Sequence, residues 1–95
     1  MRLIFDWDDK KNKQNIKKHG IAFEDAALIF SSSLSRMEPD YEHGEERYAM
    51  FGYLDDVAIM VIFDMQELDD GCALVRIISA RKLTNNERCR YENDV

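Results

Sequence analysis

Proton transfer near neutral pH and recognition of anions are the two kinds of chemistry for which this chain carries suitable side chains. His19 closes a lysine-rich segment, directly after Lys17 and Lys18. An imidazole titrates near neutral pH; a helix C-terminus favours its charged form and adjacent lysines oppose it. Taken alone, a surface histidine at a helix end is the plainer reading. Three arginines stand in strand-like surroundings: Arg47, Arg76 and Arg81. A guanidinium is permanently charged and grips carboxylate or phosphate through two parallel bonds. Arg47 follows Glu45-Glu46, which suits an ion pair at a strand end. Arg76 lies between Val75 and Ile77 in the most strand-like run of the chain, where an arginine is costly unless paired or facing water. Strict alternation puts Leu74, Arg76, Ile78 and Ala80 on one face, and Val75, Ile77, Ser79 and Arg81 on the other. Pairing with surplus carboxylates accounts for all three arginines without any further role.

Other chemistries find less support. His43 sits alone in an acidic loop, and the two cysteines, Cys72 and Cys89, form no C-x-x-C pair. Neither a zinc site nor a disulfide framework is expected. Cys89 lies between Arg88 and Arg90, which would lower a thiol's pKa, but nothing places a base beside it. Asp6, Asp8 and Asp9 cluster, yet Asp8 is better explained as a helix cap. Asp64, in an apolar strand, is either buried or paired with a strand arginine. Asp69-Asp70 could attract magnesium as any acidic loop does.

The elements that must position these residues follow from periodicity. Residues 3–5 form a short strand. From Asp8 to His19 the pattern is helical and very polar, with Asp8 as cap and Gly20 at the stop. Phe23, Ala26, Ala27 and Phe30 follow the i, i+3, i+4, i+7 spacing of an amphipathic helix over 23–30, ended by Ser31-Ser32-Ser33. Strands are expected at 47–53, 57–65 and 73–80, the middle one apolar enough to be buried on both faces. Asp55-Asp56 and residues 67–71 make the turns. Thr84 with Glu87 three residues on is a capping box, opening a last helix. With a further strand at 34–37, the order β-α-α-β-β-β-α gives a small α+β domain: an antiparallel sheet packed with two N-terminal helices and one C-terminal helix.

The chain has 95 residues, of which 45% are apolar, enough for one domain over residues 1–95 with one core. Its net charge of −6 is unevenly spread. Residues 1–20 carry +3, 21–36 carry −1, 37–75 carry −10 and 76–95 carry +2. Two basic segments folded side by side could therefore make a local anion site on an acidic protein. The longest apolar run, 57–63, is far short of the ~18 residues of a membrane helix. The first ten residues hold no apolar signal region, so a cytoplasmic, reducing compartment and no membrane association are expected.

The segments together are more specific than any one of them. Phe5-Asp6-Trp7-Asp8 leads into the helix ending Lys18-His19-Gly20; then come Phe23-Glu24-Asp25-Ala26, Glu45-Glu46-Arg47-Tyr48 and Gly52; last are Arg76-Ile77-Ile78-Ser79-Ala80-Arg81, Thr84, Glu87-Arg88 and Tyr91-Glu92. In this order the chain resembles the BrnT family of toxins of bacterial type II toxin–antitoxin systems, over about residues 4–92. The resemblance implies a RelE-like fold, growth inhibition through RNA cleavage, and a hetero-oligomer with a neutralising BrnA-like antitoxin, a small DNA-binding protein whose complex represses its own operon. It implies neither a cofactor nor a metal. The family often has Ser or Thr where Ala22 stands, so this chain lacks a side-chain cap worth about 1 kcal/mol. The acidic balance is the second departure and suggests a confined basic patch or action on the ribosome.

RNA carries its own nucleophile, the 2′-OH. Cleavage then needs a proton acceptor, a stabiliser of the phosphorane and a proton donor to the 5′ oxygen. On this reading His19 is the acid/base, Arg47 and Arg81 are catalytic phosphate ligands, and Lys18, Arg76 and Tyr91 position RNA. Two other readings stay open: an antitoxin-binding subunit that has lost cleavage, favoured by the acidic middle segment, and a generic interaction domain whose arginines are all paired.

Overall fold

The computed structural model describes residues 2–40 and 47–93, and its helix ends follow from residue type. β1 (Arg2–Asp6) leads to Asp8, which caps α1 (Asp9–His19). The Asp8 carboxylate accepts the N–H of Lys10 at 2.8 Å and of Lys11 at 3.4 Å, donors that the first turn leaves unpaired. At the other end Gly20 adopts a φ of 73° and donates its N–H to Ile16 O at 2.8 Å, a left-handed stop that suits glycine because it has no Cβ.

The helix expected over 23–30 is divided. α2 (Phe23–Ala26) continues as a tighter 3₁₀ turn, Ala27–Ser31. Phe23, Ala26 and Ile29 are all buried, a spacing of three that matches three residues per turn. Ala22 gives no side-chain cap, and α1 supplies one from outside. Asn12 Oδ1 accepts the Phe23 N–H at 2.9 Å, and Asn12 Nδ2 donates to Glu24 at 2.6 Å.

The remaining elements are β2 (Arg36–Pro39), β3 (Arg47–Leu54), β4 (Val57–Glu67), β5 (Cys72–Lys82) and α3 (Asn85–Asn93). The sheet runs β1-β5-β4-β3-β2, and the class is α+β as the sequence predicts. Pairs from β2 to β5 are antiparallel, whereas β1 lies parallel to β5. A wholly antiparallel sheet was the expectation. It fails at β1 because no hairpin fixes that strand's direction; its partner β5 is the last strand along the chain, after α1, α2 and the three other strands.

One face of the sheet packs on α1 and α2. Ile59, Val61, Phe63, Val75, Ile77 and Ala80 meet Ile21, Phe23, Ala26 and Ile29 there. Phe30 joins this core through edge-on contacts with Phe5 and Phe63, centroids 5.2 and 4.9 Å apart. Gly52 sits where the turn before β2 crosses the sheet. A Cβ there would run into Ser35 Oγ and lie 3.1 Å from Ile29 Cβ. The second face carries a smaller apolar patch of Ala49, Met60 and Ile62 flanked by Phe51, Ile78 and Leu83.

Strict alternation along β5 does not hold. Ile62 pairs with Ser79 but the next residue, Phe63, pairs with Ile77, so Ile78 is an unpaired extra residue. Such a bulge reverses the phase of every side chain beyond it. Ala80 therefore joins Val75 and Ile77 in the core, and Arg81 moves to the same face as Arg76. Alternation had placed these two arginines on opposite faces. Among the described residues no helix is long and apolar enough to cross a membrane.

Candidate functional site

β1 pairs with β5 only as far as Asp6 opposite Arg76. Beyond that point the edge of β5 needs another partner, and α1 provides it through a side chain. Asn15, 6% exposed, donates to Ala80 O at 2.9 Å and to Ile21 O at 2.8 Å, and its Oδ1 accepts the Ala80 N–H at 3.1 Å. The amide thus imitates a neighbouring strand and satisfies backbone groups that burial would otherwise strand.

This docking leaves a cleft of about 260 Å³ around Asn15, lined by Lys11, Gln14, Lys18, His19, Ile78 and Ser79. Among the described residues its lining holds no carboxylate. Lys11 and Lys18 are exposed, and His19 is half-buried. Lys18 and His19 were legible in the sequence as candidates; Lys11 and Ser79 were not. The signal for Lys11 is its seven-residue spacing from Lys18, two helical turns on one face. Ser79 became a lining residue only through the bulge beside it.

The three sequence-predicted arginines share the second face of the sheet. Arg81 is paired across from Met60 and lies two residues beyond Ser79. Arg76 and Arg47 flank Asp64 in register, and Asp6 completes the row, so charges alternate Arg47, Asp64, Arg76, Asp6 across four strands. Arg76 Nη1 lies 3.7 Å from Asp6 Oδ2, with both side chains about half exposed, a pairing of small worth in water. Arg47 is half-buried at the start of β3; its suggested partners Glu45 and Glu46, like His43, lie outside the described residues.

Arg81 is engaged most tightly. Its Nη1 and Nη2 donate to Glu87 Oε1 and Oε2 at 2.7 and 2.8 Å, and Nη1 also donates to Lys82 O at 3.1 Å. Glu87 is at the same time the second half of the capping box. Its Oε1 accepts the Thr84 N–H at 2.9 Å, and its own N–H donates to Thr84 Oγ1 at 3.2 Å. The Arg81 bonds hold the Glu87 carboxyl well below the usual range, at about 2.

Tyr91, expected to position RNA, is buried. It is 3% exposed, and its hydroxyl donates to Leu34 O at 2.7 Å. Its ring stacks on Phe51 with centroids 5.9 Å apart, and Arg36 Cζ lies 5.5 Å from the ring centre. Burial raises the Tyr91 hydroxyl above its ordinary value. Tyr53 fastens the same helix by donating to Glu92 at 2.6 Å, and that bond raises its own pKa. Beside Tyr91 a groove of about 140 Å³ is lined by Arg36, Glu38, Phe51, Glu87 and Arg90. Arg36, which the sequence reading did not single out, also pairs with Glu38 at 3.2 Å.

The site therefore has β5 as its spine. A basic cleft with a histidine lies along one edge, and Arg76 and Arg81 flank it on the second face of the sheet. Arg47 lies two strands away in the row of Arg76, and Tyr91 is a buried fastening of α3. Among the described residues no group of three His, Cys, Asp or Glu side chains gathers to hold a metal ion. A family model described as the ribonuclease toxin, BrnT, of type II toxin–antitoxin systems matches residues 7–87. The chain matches no curated protein.

Proposed function

Because this chain belongs to the BrnT family of ribonuclease toxins of type II toxin–antitoxin systems, we propose that it cleaves RNA along the β5 edge by attack of the substrate's own 2′-OH. The 2′ oxygen bonds to phosphorus, the 5′ oxygen leaves with a proton, and a 2′,3′-cyclic phosphate remains. His19 accepts the 2′ proton or supplies the leaving one, since its ring lines the cleft beside Lys18 and carries nitrogens that can take or give a hydrogen bond. Arg81 and Arg47 stabilise the charge that builds on the phosphorane oxygens. Lys18 and Arg76 hold flanking phosphates, with Lys11 beside Lys18. Tyr91 acts at one remove, by seating α3 and Arg36.

The observation that carries this reading is the bulge at Ile78 together with the α1 docking. They bring a carboxylate-poor cleft of Lys11, Lys18 and His19 beside the strand that bears Arg76 and Arg81. Such a cleft supports the reading of a confined basic site on an acidic protein. An antitoxin partner follows from the family; a BrnA-like, DNA-binding antitoxin, repression of the shared operon and action on cytoplasmic ribosomes are parts of the proposal. The reading is tested by incubating the purified chain with end-labelled RNA in EDTA. Products with 2′,3′-cyclic ends are expected, and R81A or R47A should lower the rate about a hundredfold. Full activity of the R47A/R81A double variant, as folded as the parent by circular dichroism, would refute the site.

One observation favours a second reading. Arg81 is bound by Glu87 and Arg76 lies near Asp6, as in a subunit that binds antitoxin without cleaving. The absence of products from both free RNA and translating ribosomes would select it.

A further inference from the structure

The grip of Glu87 on Arg81 has the geometry that a phosphate would need. Both guanidinium η nitrogens are used, each on a different carboxylate oxygen, at 2.7 and 2.8 Å. Phosphate presents two oxygens to the same fork. The pair is not sealed: the two side chains are 35% and 32% exposed, so water and solutes reach it. Its carboxylate partner sits on α3, which buries only one residue, Tyr91, and can shift without opening the main core. The groove on the Glu87 side also holds Arg36 and Arg90 together with Glu38, which pairs with Arg36, so two guanidinium groups stand against one carboxylate there if Glu87 leaves.

We propose that the Glu87 carboxylate is an internal stand-in for the substrate's phosphate on Arg81, so that seating of α3 and binding of RNA at β5 compete. The inference rests on the assignment of Arg81 as a phosphate ligand. It makes Glu87 a residue that acts through Arg81, setting how readily substrate enters. Release of the pair removes the Glu87 carboxylate from the two η nitrogens of Arg81 while Thr84 can still cap α3.

The substitution E87Q separates these roles. Glutamine retains the capping-box geometry, because Glu and Gln serve equally at that position, but it removes the negative charge opposing a phosphate. Two probes are titrated into the parent chain, E87Q, T84A and R81Q: inorganic phosphate, followed by NMR at the Arg81 side chain, and an uncleavable 2′-O-methyl RNA, followed by fluorescence anisotropy. Phosphate shifts at Arg81 are expected to strengthen in E87Q, and RNA should bind about three- to tenfold more tightly. The RNA gain should vanish in the E87Q/R81Q double variant. T84A, which weakens the cap but keeps the carboxylate, should show a much smaller gain.

No strengthening of phosphate binding at Arg81 in E87Q overturns the inference, whether or not the chain cleaves RNA. An equal gain in T84A, or a gain that persists without Arg81, overturns it as well. Strengthened phosphate binding at Arg81 in a chain that neither binds nor cleaves RNA would uphold Glu87 as a stand-in for phosphate, but would overturn the competition with RNA and remove the ribonuclease assignment of Arg81.

Discussion

α1 and α3 are both polar helices that bury a single residue each, Asn15 in one and Tyr91 in the other. They are fastened by different bonds. α1 is tied to the edge of β5 and to Ile21 by three bonds from one neutral amide, all to backbone atoms. α3 is held by the Tyr91 hydroxyl on a backbone oxygen, the Tyr53 hydroxyl on the Glu92 carboxylate, stacked rings and the charged Arg81–Glu87 pair. Neutral, buried bonds to backbone have no competitor in solution, whereas a charged, partly exposed pair exchanges with ions and protons. The contrast makes α1 the rigid wall of the basic cleft and α3 the releasable wall of the separate groove beside Tyr91.

The largest test of that contrast is N15L. Leucine has a similar volume but leaves the Ala80 N–H and two carbonyls without partners, so urea unfolding should show a loss of about 3 kcal/mol. A loss below 0.5 kcal/mol would show, on the scale of surface substitutions, that α1 is not anchored there. Y91F removes only the bond to Leu34 O and should lower stability by about 1 kcal/mol, with faster amide exchange in α3 than in α1. Equal acceleration in both helices would break the distinction.

Acid offers a third test. Glu87 titrates at about 2 instead of its ordinary 4.5, so its folded form favours the charged carboxylate. That contribution is complete above the ordinary value and is lost as pH falls from 4.5 towards about 2. Over that window exchange should accelerate in α3 first, because Asn15 does not titrate. The smallest effect is expected from K11Q and K18Q. Each should reduce the slope of log RNA affinity against log salt by about one unit, whatever the RNA sequence. An unchanged slope would remove the cleft from the RNA path.

Local signals were legible and gave correct elements. Asp8 and Gly20 bracket α1, and Thr84 with Glu87 opens α3, because caps join groups only two to four residues apart. The apolar run of β4 is buried along most of its length. The site was legible only as a set of residue types. Arg36 gave no signal, since nothing in its neighbourhood foretells a tyrosine from the last helix. The resemblance suggests Tyr91 as a residue that positions RNA, whereas the fold covers its ring with Arg36 and Phe51.

What the sequence by itself determined is the α+β order of elements, the capped ends of α1 and the start of α3, and which side chains are capable of proton transfer or phosphate binding. These depend on spacing within a few residues and on side-chain chemistry. Only the tertiary structure decided that Arg76 and Arg81 share a face, that Asn12 caps the helix Ala22 leaves open, and that Asn15 replaces a strand at the edge of β5. Each of these turns on pairing between distant segments. A single unpaired residue at Ile78 changes the face of everything after it, because side chains along a strand alternate with a period of two and a shift of one inverts them.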